Sequence, residues 1–168
     1  MESTQQDFMG ECYEALDQAK QRIDGVDEPC RSALIVRSAM AIFHNGGCQY
    51  FFEEDFPENP DYSVITEALR RVGLTAIADG LAGLIALFPF EAPLLHFDQR
   101  RALLEAPPSD FDSARERLDD QVFAIDGDQV DTVLDEYIQH ARAPQRLASL
   151  GGSAPDMQPV ERRRPDPT

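Results

Sequence analysis

The sequence predicts an all-α protein, folded as an irregular bundle of about six or seven helices. Apolar residues return every three to four positions, for example at Phe8, Cys12, Leu16 and Ala19, which places them along one side of a helix. Prolines and glycines separate such segments. No alternation typical of a β-strand persists over five residues outside residues 50–56. Both observations favour amphipathic helices that pack around a common core.

Local signals indicate where the helices begin and end. The first helix should continue to Ile23, the second should end at Asn45 and Gly46, and Gly127 should interrupt the last one. Segment 76–88 is nearly all apolar, so we expect it to be the most buried helix. Side chains that can cap a helix predict helix starts near Thr4, Ser63, Thr75 and Asp98, and Pro29 suits the first position of another helix. The helical pattern of apolar residues resumes from Asp110.

Charge and composition divide the chain into two parts. Residues 1–142 are predicted to form an acidic helical domain, and residues 143–168, rich in proline and arginine, a disordered tail with too few large apolar side chains to pack. The chain contains 31 acidic and 15 basic residues, a net charge of −16. Such a charge repels nucleic acid and anionic membranes and attracts basic proteins. We therefore expect a basic protein partner and no direct binding to nucleic acid.

The cysteines and the apolar runs bear on the location of the protein. Cys12, Cys30 and Cys48 are widely spaced, and the chain does not open with a signal-peptide pattern. These features favour reduced thiols and a cytoplasmic location. The longest apolar run, residues 81–90, is far shorter than the ~20 residues that a membrane span needs. No association with a membrane is expected.

Residues that often perform catalysis or bind metals do not form a recognisable group. His44, His96 and His140 belong to different segments, and His44 with Cys48 supplies only half of a zinc site. Residues 126–137 resemble a calcium loop but lack its central glycine and its final glutamate. The sequence therefore predicts neither an enzyme nor a metal or cofactor site.

Carboxylates at helical spacing are the remaining candidates for function. Neighbours in such a row would lie about 5 to 6 Å apart along the helix axis, a spacing comparable to that of successive phosphates in a nucleic acid strand. The alternative is an ordinary solvated helix face, partly neutralised by Arg115 and Arg117. The candidate partner-binding residues are one row of Asp112, Glu116, Asp119 and Asp120, a second row of Asp128, Asp131 and Asp135, and the loop residues Glu53, Glu54, Asp55 and Glu58.

A short motif carries a resemblance to a known family. The motif consists of Asn45, Gly46 and Gly47, followed by Gln49, Tyr50 and Phe51, and roughly residues 8–141 resemble a bacterial family of helical domains. The resemblance implies an all-helical fold in which Asn45 and Gln49 bond to backbone while Tyr50 and Phe51 fill the core. The well-described type of member is an acidic, dimeric DNA mimic that occupies the DNA-binding surface of a transcriptional repressor.

Two functions follow from these observations. The first is an acidic binding module, acting as a DNA mimic that covers the DNA-binding surface of a transcription regulator or another basic protein and forming a homodimer as the resemblance implies. The alternative is an immunity-type or scaffold protein that binds a toxin or an enzyme without mimicking DNA.

Overall fold

The computed structural model describes residues 8–53 and 60–150 of the chain, and residues 144–150 through their backbone alone. No strand occurs in these ranges, so the predicted all-α bundle is confirmed. Single 3-10 turns lie at Ile23–Gly25 and Pro93–Leu95. The helices of the described ranges are α1 (Phe8–Gln18), α2 (Cys30–Glu53), α3 (Tyr62–Val72), α4 (Thr75–Ala86), α5 (Phe97–Glu105), α6 (Ser109–Phe123) and α7 (Gly127–Leu150).

Helix α2 is the central element of the bundle. It contacts α1, α3, α5, α6 and α7, and more than half of its residues are buried. The prediction that segment 76–88 forms the most buried helix is therefore wrong. Helix α4 contacts only one side of the bundle, through α3 and α6, and its small residues Ala76, Gly83 and Ala86 face solvent. A run of small apolar residues does not require burial on every side of the helix.

Several helix ends differ from the predicted ones. Helix α1 stops at Gln18 rather than Ile23, because Lys20 and Gln21 adopt left-handed backbone conformations. The N-cap of α3 is Asp61, whose carboxylate accepts a hydrogen bond from the backbone N–H of Ser63 at 2.7 Å. Hydrogen bonds from Ser63 hold the pKa of the Asp61 carboxyl below its usual value.

Further boundaries also depart from expectation. Thr75 and Asp98 lie inside the first turns of α4 and α5 and are not N-caps. Helix α7 continues to Leu150, past the boundary predicted at residue 142, whereas the expected cap at Thr4 and the rest of the tail lie outside the described residues. None of the described helices combines the length and the hydropathy that a bilayer span requires.

The cysteines also differ from the prediction of reduced thiols. Cys12 of α1 and Cys30 of α2 form a disulfide, whereas Cys48 is free and buried. This pairing could not be predicted from the sequence, because the two positions are 18 residues apart and belong to different helices. The fold brings them together where α1 packs against the start of α2.

Aromatic side chains form the centre of the core. The rings of Phe43 and Phe51, both on α2, are stacked with centroids 4.2 Å apart. Phe52 meets Phe88 edge to face, and Phe88 meets Phe111 of α6 in the same way. Edge-to-face and offset contacts of this kind add to the stabilisation that comes from burial alone. The cluster therefore joins α2 and α6 through the segment that follows α4.

Arg100 on α5 is completely buried, an unusual position for a charged side chain. Its Nε donates to the carbonyl of Phe52 at 3.0 Å, and Nη1 donates to the carbonyls of Pro93, at 2.8 Å, and Leu94. The Phe52 carbonyl lies in the last turn of α2, the negative end of that helix, where a cation is favourable. Arg100 thus fixes the end of α2 and the turn before α5 with one side chain.

We predict that Arg100→Met lowers the free energy of unfolding by about 2 to 4 kcal/mol, because it leaves three carbonyls without their donor. Arg101→Met is the matched control. Arg101 is exposed and, among the described residues, pairs with Glu105 one turn away, so its loss should cost less than about 0.5 kcal/mol. Urea unfolding of both variants provides the measurement. Equal stability of the two variants would contradict the structural role of Arg100.

Candidate acidic interface

Helix α6 carries the first candidate row of carboxylates. One side of the helix is buried through Phe111, Leu118 and Val122. It packs against α2 and α4. The opposite side faces solvent and includes Glu116 and Asp120. The predicted row therefore lies along the outer part of α6, although its four members have different surroundings.

Two members of the first row have partners within the protein. Asp112 forms an ion pair with Arg115, one turn along the same helix. Asp119 is half-buried and accepts a hydrogen bond from the backbone N–H of Cys48 at 2.7 Å. Within the described part of the chain, the side-chain carboxylates of Glu116 and Asp120 form neither a hydrogen bond nor an ion pair. These two carboxylates are the part of the row available to a partner.

The glycine pair breaks α2 into two helical segments. Gly46 and Gly47 have non-helical backbone angles, and Gly47 has a φ of 67°, in the left-handed region that favours glycine. A Cβ atom at Gly47 would also lie only 2.7 Å from Oδ1 of Asp119. Residue 47 must therefore be glycine on two counts, backbone conformation and space. The predicted helix end at Asn45 and Gly46 is this kink, after which the helix resumes and runs to Glu53.

Asp119 acts as a helix cap supplied by another helix. The first turn of a helical segment has backbone N–H groups without partners inside the helix, and a carboxylate satisfies them and offsets their partial positive charge. The N–H of Cys48 is such a group, at the start of the second segment of α2. Asp119 therefore fixes the position of α6 against the kink.

The thiol of Cys48 is enclosed by the same contact. Its sulfur lies 3.8 Å from the carbonyl of Arg115, to which it donates a weak hydrogen bond. Burial, followed by the neighbouring Asp119 carboxylate, raises the pKa of the Cys48 thiol far above its ordinary value. Cys48 is therefore a packing residue and not a nucleophile.

The other motif residues only partly match their expected roles. Phe51 fills the core as expected, but Tyr50 remains 36% exposed. The next two residues of α2, Phe51 and Phe52, are both completely buried, whereas Tyr50 lies on the side of the helix that faces solvent. The side chain of Gln49 donates to the Glu53 carboxylate and not to backbone, and Asn45 is exposed.

The second candidate row lies on α7 and is less accessible. Asp128 is exposed in the first turn of α7. Asp131 is half-buried and forms an ion pair with Arg37 of α2. Asp135 is half-buried and lines a cavity together with Tyr13 of α1. The three carboxylates lie at helical spacing on α7, but the packing of α1 and α2 beside them half-buries Asp131 and Asp135, so Asp128 is the exposed member of the row.

The third candidate group falls mainly outside the described residues. Glu53 is half-buried at the end of α2 and accepts the hydrogen bond from Gln49 at 3.0 Å. Glu54, Asp55 and Glu58 lie in the range that the structure does not describe. Of this group, the structure therefore describes Glu53 alone.

Phe123 is a surface residue that sequence reasoning assigned no role. It is 56% exposed at the end of α6, and its ring lies 6.4 Å from that of His44. Nε2 of His44 donates to the carbonyl of Ile125 at 2.9 Å, which holds the imidazole beside Phe123. Phe123 follows Asp120 by three positions, so the two side chains are neighbours on the helix surface. An exposed aromatic ring thus borders the available carboxylates.

The described residues do not bring together three or more His, Cys, Asp or Glu side chains that could hold a metal ion. In the segment that resembles a calcium loop, Asp126 and Gln129 each bond the other's backbone N–H, at 2.8 and 2.9 Å. This reciprocal pair is a capping box at the start of α7. His96 packs against Phe90, and His140 bonds the carbonyl of Glu136 one turn away.

The cap at the kink generates a prediction about stability. Replacing Asp119 with alanine should lower the free energy of unfolding by about 1 to 2 kcal/mol, because the N–H of Cys48 loses its acceptor. The neighbouring substitution Asp120→Ala removes the same charge from a solvated position and should change stability by less than about 0.5 kcal/mol. Thermal and urea unfolding should separate the two variants, and indistinguishable curves would show that the Asp119 contact does not act as a cap.

Comparison with known proteins places the chain in a family. Residues 24–141 match the family described as DMP19-like protein. No curated protein and no solved structure matches the chain. The family match spans α2 to most of α7, including the kink and the whole of α6, and it covers more than half of the sequence. The chain therefore belongs to the DMP19-like protein family.

Proposed function

We propose that this protein is an acidic binding module that mimics DNA and occupies the DNA-binding surface of a basic protein such as a transcription regulator. DMP19 denotes DNA mimic protein 19, and this description of the family supports the proposal. The net charge of −16 supports it independently, because a strongly negative surface accelerates and favours association with basic proteins.

The observation that carries the proposal is the outer face of α6. Glu116 and Asp120 lie one helical turn apart, about 6 Å along the axis, and are free of ion pairs within the described residues. Arginine and lysine side chains that contact phosphates of DNA can bind carboxylates through the same charge-assisted hydrogen bonds. The face therefore presents acceptors of the correct charge to a DNA-binding surface.

Rigidity is the second requirement that this face meets. A mimic must hold its charges at fixed positions, since mobile side chains on a mobile segment lose entropy on binding. Helix α6 is held by the buried residues Phe111, Leu118 and Val122 and by the Asp119 cap at the kink of α2. The backbone beneath Glu116 and Asp120 is therefore fixed before the partner arrives.

Phe123 gives the interface an apolar contact that DNA phosphates do not offer. Aromatic residues are frequent among the few side chains that contribute most of the affinity of an interface once a partner buries them. Phe123 beside Asp120 would let the partner distinguish this protein from other polyanions. Arg117, which is also exposed on α6, limits the local charge and sets the register in which a basic partner can dock.

The proposal assigns the protein no reaction, no metal and no cofactor. Its activity is competition, because a regulator that is bound to this surface cannot bind its operator at the same time. The homodimer that the family resemblance implies is part of the proposal. A dimer would present two α6 faces, so the separation of the faces would select partners that are themselves dimeric.

The test begins with capture of the partner from an extract of the source cells, followed by binding measurements with the purified partner. We expect a DNA-binding protein that duplex DNA displaces from this protein. The affinity should fall steeply between 0.05 and 0.5 M salt, because screening weakens contacts between exposed charges. Binding of equal strength at both salt concentrations would contradict DNA mimicry and favour a scaffold or immunity-type interaction.

Paired variants then locate the interface. Neutralising the α6 face with Glu116→Gln and Asp120→Asn should weaken partner binding about tenfold at 0.05 M salt and much less at 0.5 M salt. The matched control is Glu91→Gln with Asp98→Asn, which makes the same change in net charge at two exposed carboxylates outside α6. The control should change affinity less than about twofold. Equal losses for both pairs would mean that only the total charge matters, and the α6 face would lose its assigned role.

A further inference from the structure

Helix α1 lies outside the part of the chain that matches the family and is attached to helices that belong mostly to the matched part. The match begins at residue 24, whereas α1 comprises Phe8–Gln18. Helix α1 packs on α2 and α7. The disulfide between Cys12 and Cys30 is its one covalent attachment apart from the chain itself. Its other prominent contact is Arg142 of α7, which pairs with Glu11 and lies over the ring of Phe8.

The Cys30 end of the disulfide borders a cavity, although Cys30 itself is only 6% exposed. Cys30 lines a cavity of about 430 Å³ between α1, the turn before α2 and Arg142. Nη2 of Arg142 lies 3.5 Å from the Cys30 sulfur. A guanidinium at this distance stabilises a thiolate, so it makes Cys30 a better leaving group in thiol exchange. Cys12, by contrast, is completely buried.

The segment after α1 can act as a hinge. Lys20 and Gln21 are exposed and both have left-handed backbone conformations, with φ of 57° and 63°. Two such residues in succession indicate a connection that is not part of either helix. An 11-residue helix is also too short to be stable alone in water, so α1 depends on its attachment for its structure.

We propose that the Cys12–Cys30 disulfide is a redox-sensitive switch that docks α1 onto α2 and α7 when oxidised and releases it when a dithiol reduces it. This inference does not depend on the proposed DNA mimicry. The cavity beside Cys30 gives the reductant its route, and Arg142 promotes departure of the Cys30 thiolate. Release uncovers the face of α2 and α7 that carries Arg37, Asp131 and Asp135, which now line a cavity of about 170 Å³ with Met9 and Tyr13 of α1.

The exchange proceeds in two balanced steps. A thiolate of the dithiol attacks the Cys30 sulfur, the bond between the two protein sulfurs breaks, and Cys12 leaves as a thiolate that takes a proton. The mixed disulfide joins Cys30 to one sulfur of the reductant. The second thiolate of the reductant attacks that reductant sulfur, and Cys30 leaves as a thiolate beside Arg142. The reductant becomes a disulfide, and the protein gains two electrons. Cys48 takes no part, because its thiol is buried and its pKa is strongly raised.

Hydrogen exchange of the full chain, with and without dithiothreitol, tests the switch. We expect amides of residues 8–18 to exchange about tenfold faster or more after reduction, while those of α3 keep their protection. A Cys12→Ser variant should show the fast exchange of α1 in both conditions and no response to dithiothreitol. Unchanged protection of α1 after complete reduction would overturn the proposal. Loss of protection throughout the bundle would also overturn it, because the disulfide would then stabilise the whole fold and not one helix.

A second measurement detects the undocking of α1 even if the serine variant folds poorly. Trypsin should cleave the reduced wild-type protein after Lys20, the single lysine of the chain, several-fold faster than the oxidised protein, because the hinge opens when α1 undocks. Cleavage after Arg101, an exposed residue on α5, serves as the internal control and should not change. Equal acceleration at both positions would indicate general unfolding, and no acceleration at Lys20 would rule out the hinge.

Discussion

The carboxylate of Asp119 holds the kink of α2, on which the positions of the neighbouring helices depend. Gly46 and Gly47 interrupt the central helix, and the second segment needs an acceptor for the N–H of Cys48. Asp119 supplies the acceptor from α6. Its carboxylate lies so close to Gly47 that a side chain at position 47 would have no room. The kink also lets Phe43 and Phe51 stack, although both belong to α2. One hydrogen bond between helices therefore joins the central helix, the aromatic core and the outer face of α6.

The carboxylates divide by environment more than by helical position. Asp61, Asp119 and Asp126 cap helices, so their charges stabilise helix ends and are partly shielded from any partner. Glu116 and Asp120 belong to the same helix as Asp119 but face solvent. A count of acidic residues thus overstates the charge that a partner meets. The relevant quantity is the set of carboxylates that neither cap a helix nor pair with an arginine.

Much of the fold could be predicted from the sequence, and the limits have physical causes. The spacing of apolar residues predicted the all-α class. Asn45 and Gly46 indicated an interruption at the position of the kink, because glycine disfavours a continuous helix. The partners of Arg100 could not be predicted, because its acceptors are the backbone carbonyls of Phe52, Pro93 and Leu94. Every residue has a backbone carbonyl, so the residue type does not indicate which ones will accept. The spacing on α6 predicted a common face, but only the packing against Cys48 separates Asp119 from Asp120. The disulfide likewise depends on tertiary packing.

The arginines explain how an acidic face can persist in a protein that also contains many ion pairs. Arg37, Arg70, Arg71 and Arg142 each pair with a carboxylate of another helix or of the turn before α2, where they offset repulsion between packed elements. On α6 the one ion pair of the described residues is internal, between Arg115 and Asp112. These four basic side chains therefore act at junctions between elements, and negative charge remains on faces that contact no other helix. A strongly acidic protein that places its cations at such junctions gains stability there without losing the exposed charge that a basic partner would recognise.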